Sequence, residues 1–116
     1  MNIFLIGFRG TGKTTIGKII SRMLDREFID ADEYLEQKEG KTVKGIFDED
    51  GEKLFREKES KVVAELCLLD DKVIATGGGV ILREENVKKL KKNGVLIFLT
   101  ADVDTICKRI YRDKFT

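Results

Sequence analysis

The 116-residue sequence contains neither histidine nor proline. Without histidine, no imidazole can act as a general base, and most kinds of zinc site are excluded. Average usage of about 5% would give a chain of this length about six prolines. We interpret their absence as a compositional bias or as a sign that a proline-containing part of the protein is missing.

A large excess of charge is also absent. The 22 basic and 21 acidic residues leave a formal net charge of +1, so no strong global field would draw nucleic acid or an anionic membrane to the protein. No apolar run approaches the roughly 20 residues of a transmembrane helix. The first residues lack the basic segment and the cleavage site of a signal peptide, so none is expected.

Cysteine is scarce as well. Cys67 and Cys107 are the two cysteines, and they form no CxxC pair, which is typical of buried thiols in a reducing compartment. We therefore expect a cytoplasmic protein. Its length is that of one domain, residues 1–116, and we expect it to be a monomer.

The sequence does contain a regular alternation of strand and helix patterns. The strands are short apolar runs, as in a buried parallel sheet, and the helices carry apolar residues at helical spacing. The predicted strands are residues 2–6, 27–30, 73–75 and 95–99, and the predicted helices lie near 12–24, 33–39, 43–47, 52–68 and 83–93, with a last helix capped by Asp102. Thr42 is an expected N-cap, and Gly94 an expected C′ residue. The pattern predicts an α/β domain with helices on both faces of a parallel sheet.

The first strand leads directly into a phosphate-binding motif. Residues 7–14, GFRGTGKT, match GxxxxGK[ST]. In this motif glycines let backbone N–H groups surround a phosphate, and the next helix directs its positive end at the same anion. Lys13 is then placed for the β- and γ-phosphates, and the Thr14 hydroxyl for Mg²⁺. The alternative is an ordinary glycine-rich turn, but such a turn has no need of the ending Gly12-Lys13-Thr14.

Two carboxylates close the second predicted strand. Asp30 and Asp32 follow its apolar residues, and the carboxyl ends of parallel strands face the ligand crevice of an open sheet. Carboxylates there can hold hydrated Mg²⁺ and accept a proton from an attacking hydroxyl. The alternative for Asp32 is simply a helix N-cap.

Two further features favour a ligand site: a glycine triplet and a pair of oppositely charged residues on the long helix. Gly77, Gly78 and Gly79 follow another strand, which indicates backbone lying directly against a ligand, although a flexible turn is the alternative. On the long helix, Glu59 shares a face with apolar residues, so it needs a partner. Arg56, three residues earlier, can pair with it and keep guanidinium donors for a substrate carboxylate, whereas a lone helix arginine is usually a solvated charge.

The segments GFRGTGKTT, FIDADEYLE, FDEDGEKLFREKE and ATGGGVIL, in that order, resemble shikimate kinase. The likeness runs from Asn2 to about Lys114. It implies a P-loop kinase with the three-layer α/β/α fold of nucleoside-monophosphate kinases and a parallel sheet of order 2-3-1-4-5, of which the fifth strand is missing here. It also implies ATP-dependent phosphorylation of the 3-hydroxyl of shikimate in aromatic amino-acid biosynthesis.

The resemblance assigns roles residue by residue. The ATP-binding residues would be Gly10, Thr11, Gly12, Lys13, Thr14 and Thr15, with Arg109 beside the adenine. Mg²⁺ would be held by Thr14 and, through water, by Asp30. The substrate would be bound by Asp32, Arg56, Gly77, Gly78 and Gly79. Lys13 and Asp32 are assigned to catalysis, Asp32 as the candidate base.

The end of the chain departs from the family pattern. The family continues with a mobile lid carrying Arg-Pro, a fifth strand and another substrate-binding arginine, whereas this sequence ends at Thr116, where the lid begins. We expect a chain without the lid that binds Mg·ATP but phosphorylates shikimate slowly. Two alternatives stay open: another small-molecule kinase of the same fold, such as a nucleoside-monophosphate or gluconate kinase, and a non-catalytic ATP-binding fragment.

Overall fold

A computed structural model describes residues 1–7 and 12–99 of the chain. Strands and helices alternate along these residues, as predicted: β1 (Asn2–Gly7), α1 (Lys13–Leu24), β2 (Phe28–Asp30), α2 (Ala31–Glu39), α3 (Val43–Leu66), β3 (Val73–Gly77), a 3-10 turn (Gly78–Leu82), α4 (Glu84–Asn93) and β4 (Gly94–Phe98). The predicted α/β class is confirmed. The helix predicted after Asp102 lies outside the described residues.

The described strands form one parallel sheet in the order β2-β3-β1-β4, which agrees with the first four positions of the predicted order. β1 is central, and its last residue, Gly7, is level with Gly77, the last residue of β3. Asp30, at the end of β2, pairs with Ala75 of β3. The carboxyl ends of these three strands therefore meet at one edge of the sheet, where ligands bind in open parallel sheets.

Alternate residues of the central strand enter two different cores. Phe4 and Ile6 pack with apolar residues of α2, α3 and α4, whereas Leu5 packs with Ile16 of α1. The side chains of Phe4, Leu5 and Ile6 are at most 2% exposed, and full burial of such a side chain contributes about 1.5–3 kcal/mol. Because successive strand residues point to opposite faces, the apolar run of β1 holds helices on both sides of the sheet. The sheet therefore lies between two layers of helices, which is the predicted three-layer arrangement.

The long helix differs in part from its prediction. The two helices predicted at 43–47 and 52–68 adjoin in α3 and are separated by a single non-helical residue, Gly51 (φ 83°, ψ 168°). Thr42 is the N-cap, as predicted, because its Oγ1 accepts a 3.0 Å hydrogen bond from the backbone nitrogen of Gly45.

α4 ends at Asn93 and Gly94 follows it directly, as predicted, but Gly94 lacks the left-handed conformation that is common for a glycine at this place. Its φ is 178°, which is extended backbone, and it is the first residue of β4. A Cβ on Gly94 would lie 2.2 Å from the carbonyl oxygen of Asn2. The glycine is therefore required by the close approach of β4 to β1, which its sequence position beside a helix end did not reveal.

The fourth strand is also less buried than its apolar sequence suggested, since Val95 is 45% and Phe98 is 53% exposed.

Among residues 1–7 and 12–99, none of the helices is both long enough and apolar enough to cross a membrane.

Candidate active site

The phosphate-binding end of the site begins where β1 leads towards α1. Gly12 precedes the helix with φ 79° and ψ 30°, a left-handed conformation that glycine adopts without steric cost. Lys13 is the first residue of α1, and its ammonium donates a 2.6 Å hydrogen bond to the carbonyl oxygen of Gly7. The lysine charge therefore lies at the carboxyl end of the central strand, next to a helix N-terminus that favours anions. Gly10, Thr11 and Arg109, which complete the predicted nucleotide set, lie outside the described residues.

The residues predicted to hold Mg²⁺ come together although they are 16 positions apart. The Thr14 hydroxyl, in the first turn of α1, donates a 3.4 Å hydrogen bond to Oδ2 of Asp30 at the end of β2. Thr14 is exposed, as is Thr15 beside it. The start of α1 and the end of β2, where the sequence predicted Mg²⁺-binding residues, thus lie side by side.

The chemistry of these groups fits a magnesium ion. A hydroxyl and a carboxylate are oxygen donors, and Mg²⁺ binds to proteins through one or two carboxylates with water and substrate phosphates in the remaining positions. In the described part of the chain, no group of three or more His, Cys, Asp or Glu side chains is placed to hold a metal by itself. Such a site would take its remaining ligands from water and from substrate phosphates.

Asp30 has a second function at the start of α2. Its Oδ1 accepts hydrogen bonds from the backbone nitrogens of Asp32 (2.9 Å) and Glu33 (3.2 Å), which makes it the N-cap of that helix. The alternative considered for Asp32, that it caps a helix, is wrong, because Asp32 is the second residue of α2. With Oδ1 engaged at the helix terminus, the Asp30 carboxylate is held with its other oxygen towards Thr14.

Asp32 lines a small pocket at the carboxyl end of the sheet. The pocket is formed by Ala31, Asp32, Leu35, Glu59, Val62, Val63, Thr76, Gly77 and Val80. Residues of α2, α3, β3 and the 3-10 turn thus meet beside the candidate base. Two predicted substrate residues, Asp32 and Gly77, share this pocket.

Arg56 and Glu59 form the ion pair that their spacing predicted. Nη1 of Arg56 lies 3.1 Å and 3.3 Å from the two carboxylate oxygens of Glu59, and the side chains are 21% and 13% exposed. Burial raises the pKa of the Glu59 carboxyl above its ordinary value, and this effect outweighs the opposing influence of Arg56. The negative charge of Asp32 acts in the same direction. Asp32 and Glu59 line the same pocket.

The guanidinium of Arg56 is held by neighbouring side chains, but one of its N–H donors has no acceptor among the described residues. Its central carbon lies 5.1 Å from the centre of the Phe55 ring, within the range of a cation–π contact. Its Nε is buried, and within residues 1–7 and 12–99 it finds no hydrogen-bond acceptor. A buried donor without an acceptor costs free energy, so the site is suited to an anionic ligand that accepts from Arg56, as predicted for a carboxylate.

The glycine triplet has a different relation to Arg56 at each position. A Cβ on Gly79 would lie 2.2 Å from Nη1 of Arg56, whereas a Cβ on Gly77 would meet nothing within 4 Å. Gly78 is buried and begins the 3-10 turn. The triplet is therefore not a flexible turn but the end of a strand followed by a helical turn, and Gly79 leaves the space that the guanidinium occupies.

Two positions of structural importance were missed from the sequence. Phe55 was given no role in the site from the sequence, yet the Arg56 guanidinium lies against its ring. Asn86 was not singled out, yet it is 1% exposed and its side chain donates a hydrogen bond to the carbonyl oxygen of Val80. The available signal was its spacing, four residues before Leu90 and hence on the same apolar helix face.

The sequence matches known proteins over most of its length. The family model described as shikimate kinase matches residues 9–115. A shikimate kinase from Pelotomaculum thermopropionicum is 51% identical over 97% of this chain, and one from Caldicellulosiruptor bescii is 51% identical over 97% of it. The chain spans 66% and 65% of the lengths of these two relatives.

A solved structure agrees with the sequence matches. The shikimate kinase from Acinetobacter baumannii, in complex with shikimate, superimposes with a TM-score of 0.84 at 42% identity, covering 97% of this chain and 63% of that one. This likeness confirms the P-loop kinase fold class. The match of the family model, together with relatives of which about half the aligned residues are identical, shows that this chain belongs to the shikimate kinase family.

Proposed function

We propose that this protein transfers the γ-phosphoryl group of ATP to the 3-hydroxyl of shikimate, forming shikimate 3-phosphate in aromatic amino-acid biosynthesis. The observation that carries the proposal is the state of Arg56. Its guanidinium is held by Glu59 and lies over Phe55, with a buried Nε that lacks an acceptor among the described residues. An arginine prepared in this way suits a carboxylate ligand, and shikimate carries one.

On the nucleotide side, Lys13 would pair with the β- and γ-phosphates, and residues Gly10 to Thr15 would surround them with backbone and hydroxyl donors. Thr14 and, through water, Asp30 would hold Mg²⁺, which when bound neutralises phosphate charge. Arg109 would flank the adenine. The 3.4 Å contact between the Thr14 hydroxyl and Asp30 supports the shared role of these two residues.

On the acceptor side, Arg56 would orient shikimate through its carboxylate, and Asp32 would bind its hydroxyls. The backbone of Gly77, Gly78 and Gly79 would form the wall against the ring, with Gly78 in direct contact. Asp32 is the candidate base for the 3-hydroxyl proton. Its place in the same pocket as Gly77 and Glu59 supports this role, because a base has to lie within hydrogen-bond reach of the proton that it removes.

We further propose that the chain forms one domain and acts as a monomer in the cytoplasm. Use of ATP and a small-molecule acceptor is consistent with this location. Cys67 is free and buried, and burial raises the pKa of its thiol, which disfavours the reactive thiolate.

The experiment is a substrate panel. Formation of ADP from Mg·ATP is followed with shikimate, gluconate, a nucleoside monophosphate or no acceptor, and shikimate binding is titrated calorimetrically in parallel. We expect ADP to form from Mg·ATP only when shikimate is the acceptor, and we expect shikimate binding to be saturable. Activity with another acceptor would replace the proposed substrate, and ATP binding without shikimate binding would indicate a non-catalytic nucleotide-binding protein.

A further inference from the structure

The 3-10 turn after β3 is held in place by one buried side chain. The amide nitrogen of Asn86, in the first part of α4, donates a 3.1 Å hydrogen bond to the carbonyl oxygen of Val80. Asn86 is 1% exposed and Val80 is fully buried. Val80 directly follows Gly79, whose Cα faces the Arg56 guanidinium so closely that a Cβ would lie 2.2 Å from Nη1.

Two other polar contacts beside this turn, one to α3 and one to α4, are longer. Arg83 follows the turn and donates to the hydroxyl of Ser60 at 3.5 Å, with Glu85 also at 3.5 Å. These groups are partly exposed, so water competes for them. The hydrogen bond from Asn86 is both shorter and excluded from water, and it is therefore the strongest of these three polar contacts, in addition to the packing of the Val80 side chain in the core.

The choice of asparagine at this position is costly for the fold. Within residues 1–7 and 12–99, Oδ1 of Asn86 is buried and accepts no hydrogen bond. A buried acceptor without a donor destabilises the folded state, whereas an apolar residue of the same size carries no such penalty. An amide at this place is thus poorly explained by packing alone and well explained by the position that it imposes on Val80.

We propose that Asn86 is a positioning residue for the acceptor side of the site. It fixes the Val80 carbonyl, which holds Gly79 against Arg56 and keeps the guanidinium in the orientation that receives the substrate carboxylate. Asn86 does not touch the substrate. The inference rests on the proposed function for the identity of that carboxylate, but the coupling from Asn86 to the turn does not depend on it.

The test compares Asn86→Leu, which keeps the size and removes the donor, with Leu66→Ala, which opens the same core at a residue 1% exposed and outside the pocket. Asn86→Ala, which removes the amide and adds no charge, is the second variant should Asn86→Leu fail to fold. Displacement of a binding group by a distant substitution can cost about 10²-fold, so we expect shikimate affinity to fall about 10- to 100-fold. Affinity for an ATP analogue should stay within about twofold, since the side-chain hydrogen bond of Asn86 goes to Val80 and not to α1.

Amide hydrogen exchange supplies a readout that needs no substrate. In the Asn86 variants we expect the amides of residues 79–82 to exchange at least about tenfold faster, while those of α3 keep the wild-type rate. In Leu66→Ala the reverse is expected, with α3 affected and shikimate affinity retained.

Wild-type shikimate affinity in a folded Asn86 variant, or an equal loss in Leu66→Ala, would overturn the positioning role. Failure of the wild-type protein to bind shikimate would instead overturn the proposed function and with it the substrate half of the inference. The exchange rates would then decide whether Asn86 holds the turn.

Discussion

The two sides of the site are built in different ways. On the phosphate side, Gly7, Gly12, Lys13 and Thr14 are almost contiguous in the chain, and one strand followed by one helix places them. On the acceptor side, the participating residues are spread from Asp32 to Asn86 and come together only through packing of α2, α3, the 3-10 turn and α4 against the sheet.

This difference determines how each side responds to mutation. The phosphate side depends on backbone geometry and on single charges, so a substitution there removes a contact without moving its neighbours. The acceptor side depends on a chain of contacts from Asn86 through Val80 and Gly79 to Arg56. A substitution at any link is therefore transmitted to the guanidinium.

The largest effect is expected on the phosphate side. Lys13→Met removes the ammonium that lies at the end of β1, and we expect calorimetry to show ATP binding weakened by about 5 kcal/mol or more, since a phosphate contact loses its charged partner. The fold and shikimate affinity should change little. Lys18→Met, which alters an exposed lysine of the same helix, is the control and should bind ATP normally. Unchanged ATP affinity in Lys13→Met would contradict the phosphate-loop assignment.

The next effect isolates the acceptor side. Arg56→Ala should weaken shikimate binding by about 2–5 kcal/mol, because it removes a buried, paired charge from the carboxylate contact, while ATP affinity stays near the wild-type value. Arg26→Ala serves as the matched variant, because Arg26 donates to the Met1 carbonyl at an exposed place, away from the acceptor side. An equal loss of both ligands in Arg56→Ala would assign the arginine to the fold rather than to recognition.

A smaller effect tests the link between the glycine triplet and Arg56. In Gly79→Ala the new methyl group would lie 2.2 Å from Nη1, so the flexible guanidinium has to shift while the backbone stays. We expect the thermal midpoint to change little and shikimate affinity to fall by about 1–3 kcal/mol, because displacing a binding group can cost up to about 10²-fold.

Gly77→Ala provides the comparison, because a Cβ there meets nothing within 4 Å and the φ of −71° suits alanine. It should leave shikimate affinity unchanged. If the two alanine variants behave alike, Gly79 does not control the position of Arg56.

The smallest effect concerns stability and lies away from both ligand sides. Glu65 accepts hydrogen bonds from Lys38 and from Tyr34, and these lower the pKa of its carboxyl from the ordinary value of 4.5. A lowered pKa in the folded state contributes stability that is present above the unfolded-state pKa and is lost as the pH falls through the folded-state value.

In urea unfolding, Glu65→Gln should therefore be slightly less stable than the wild type at neutral pH, and the difference should vanish in acid. Glu49→Gln is a suitable control, because Glu49 is 62% exposed and pairs with Lys41 within the described part of the chain. A difference for Glu65→Gln that persists at acid pH would show that the ion pair with Lys38 is not its source.

Much of the fold was predictable because its signals are local. The apolar run of β1, the spacing of Ile16 and Ile20 on α1, and the ending Gly12-Lys13-Thr14 each depend on residues a few positions apart. Periodicity and backbone conformation act over the same distance. The order of the sheet came from the family resemblance rather than from these patterns, since strand periodicity does not say which strands are neighbours.

The sequence by itself determined the phosphate-binding strand and helix, the acidic end of β2 and the pairing of Arg56 with Glu59, because charge, helical spacing and glycine content suffice for each. Only the tertiary structure decided that Asp30 and not Asp32 caps α2, that Gly94 begins a strand, and that Gly79 makes room for Arg56. The physical reason is the same in each case. These outcomes depend on which atoms of distant segments come within about 3 Å of one another, and such distances are set by packing of the whole sheet and its helices.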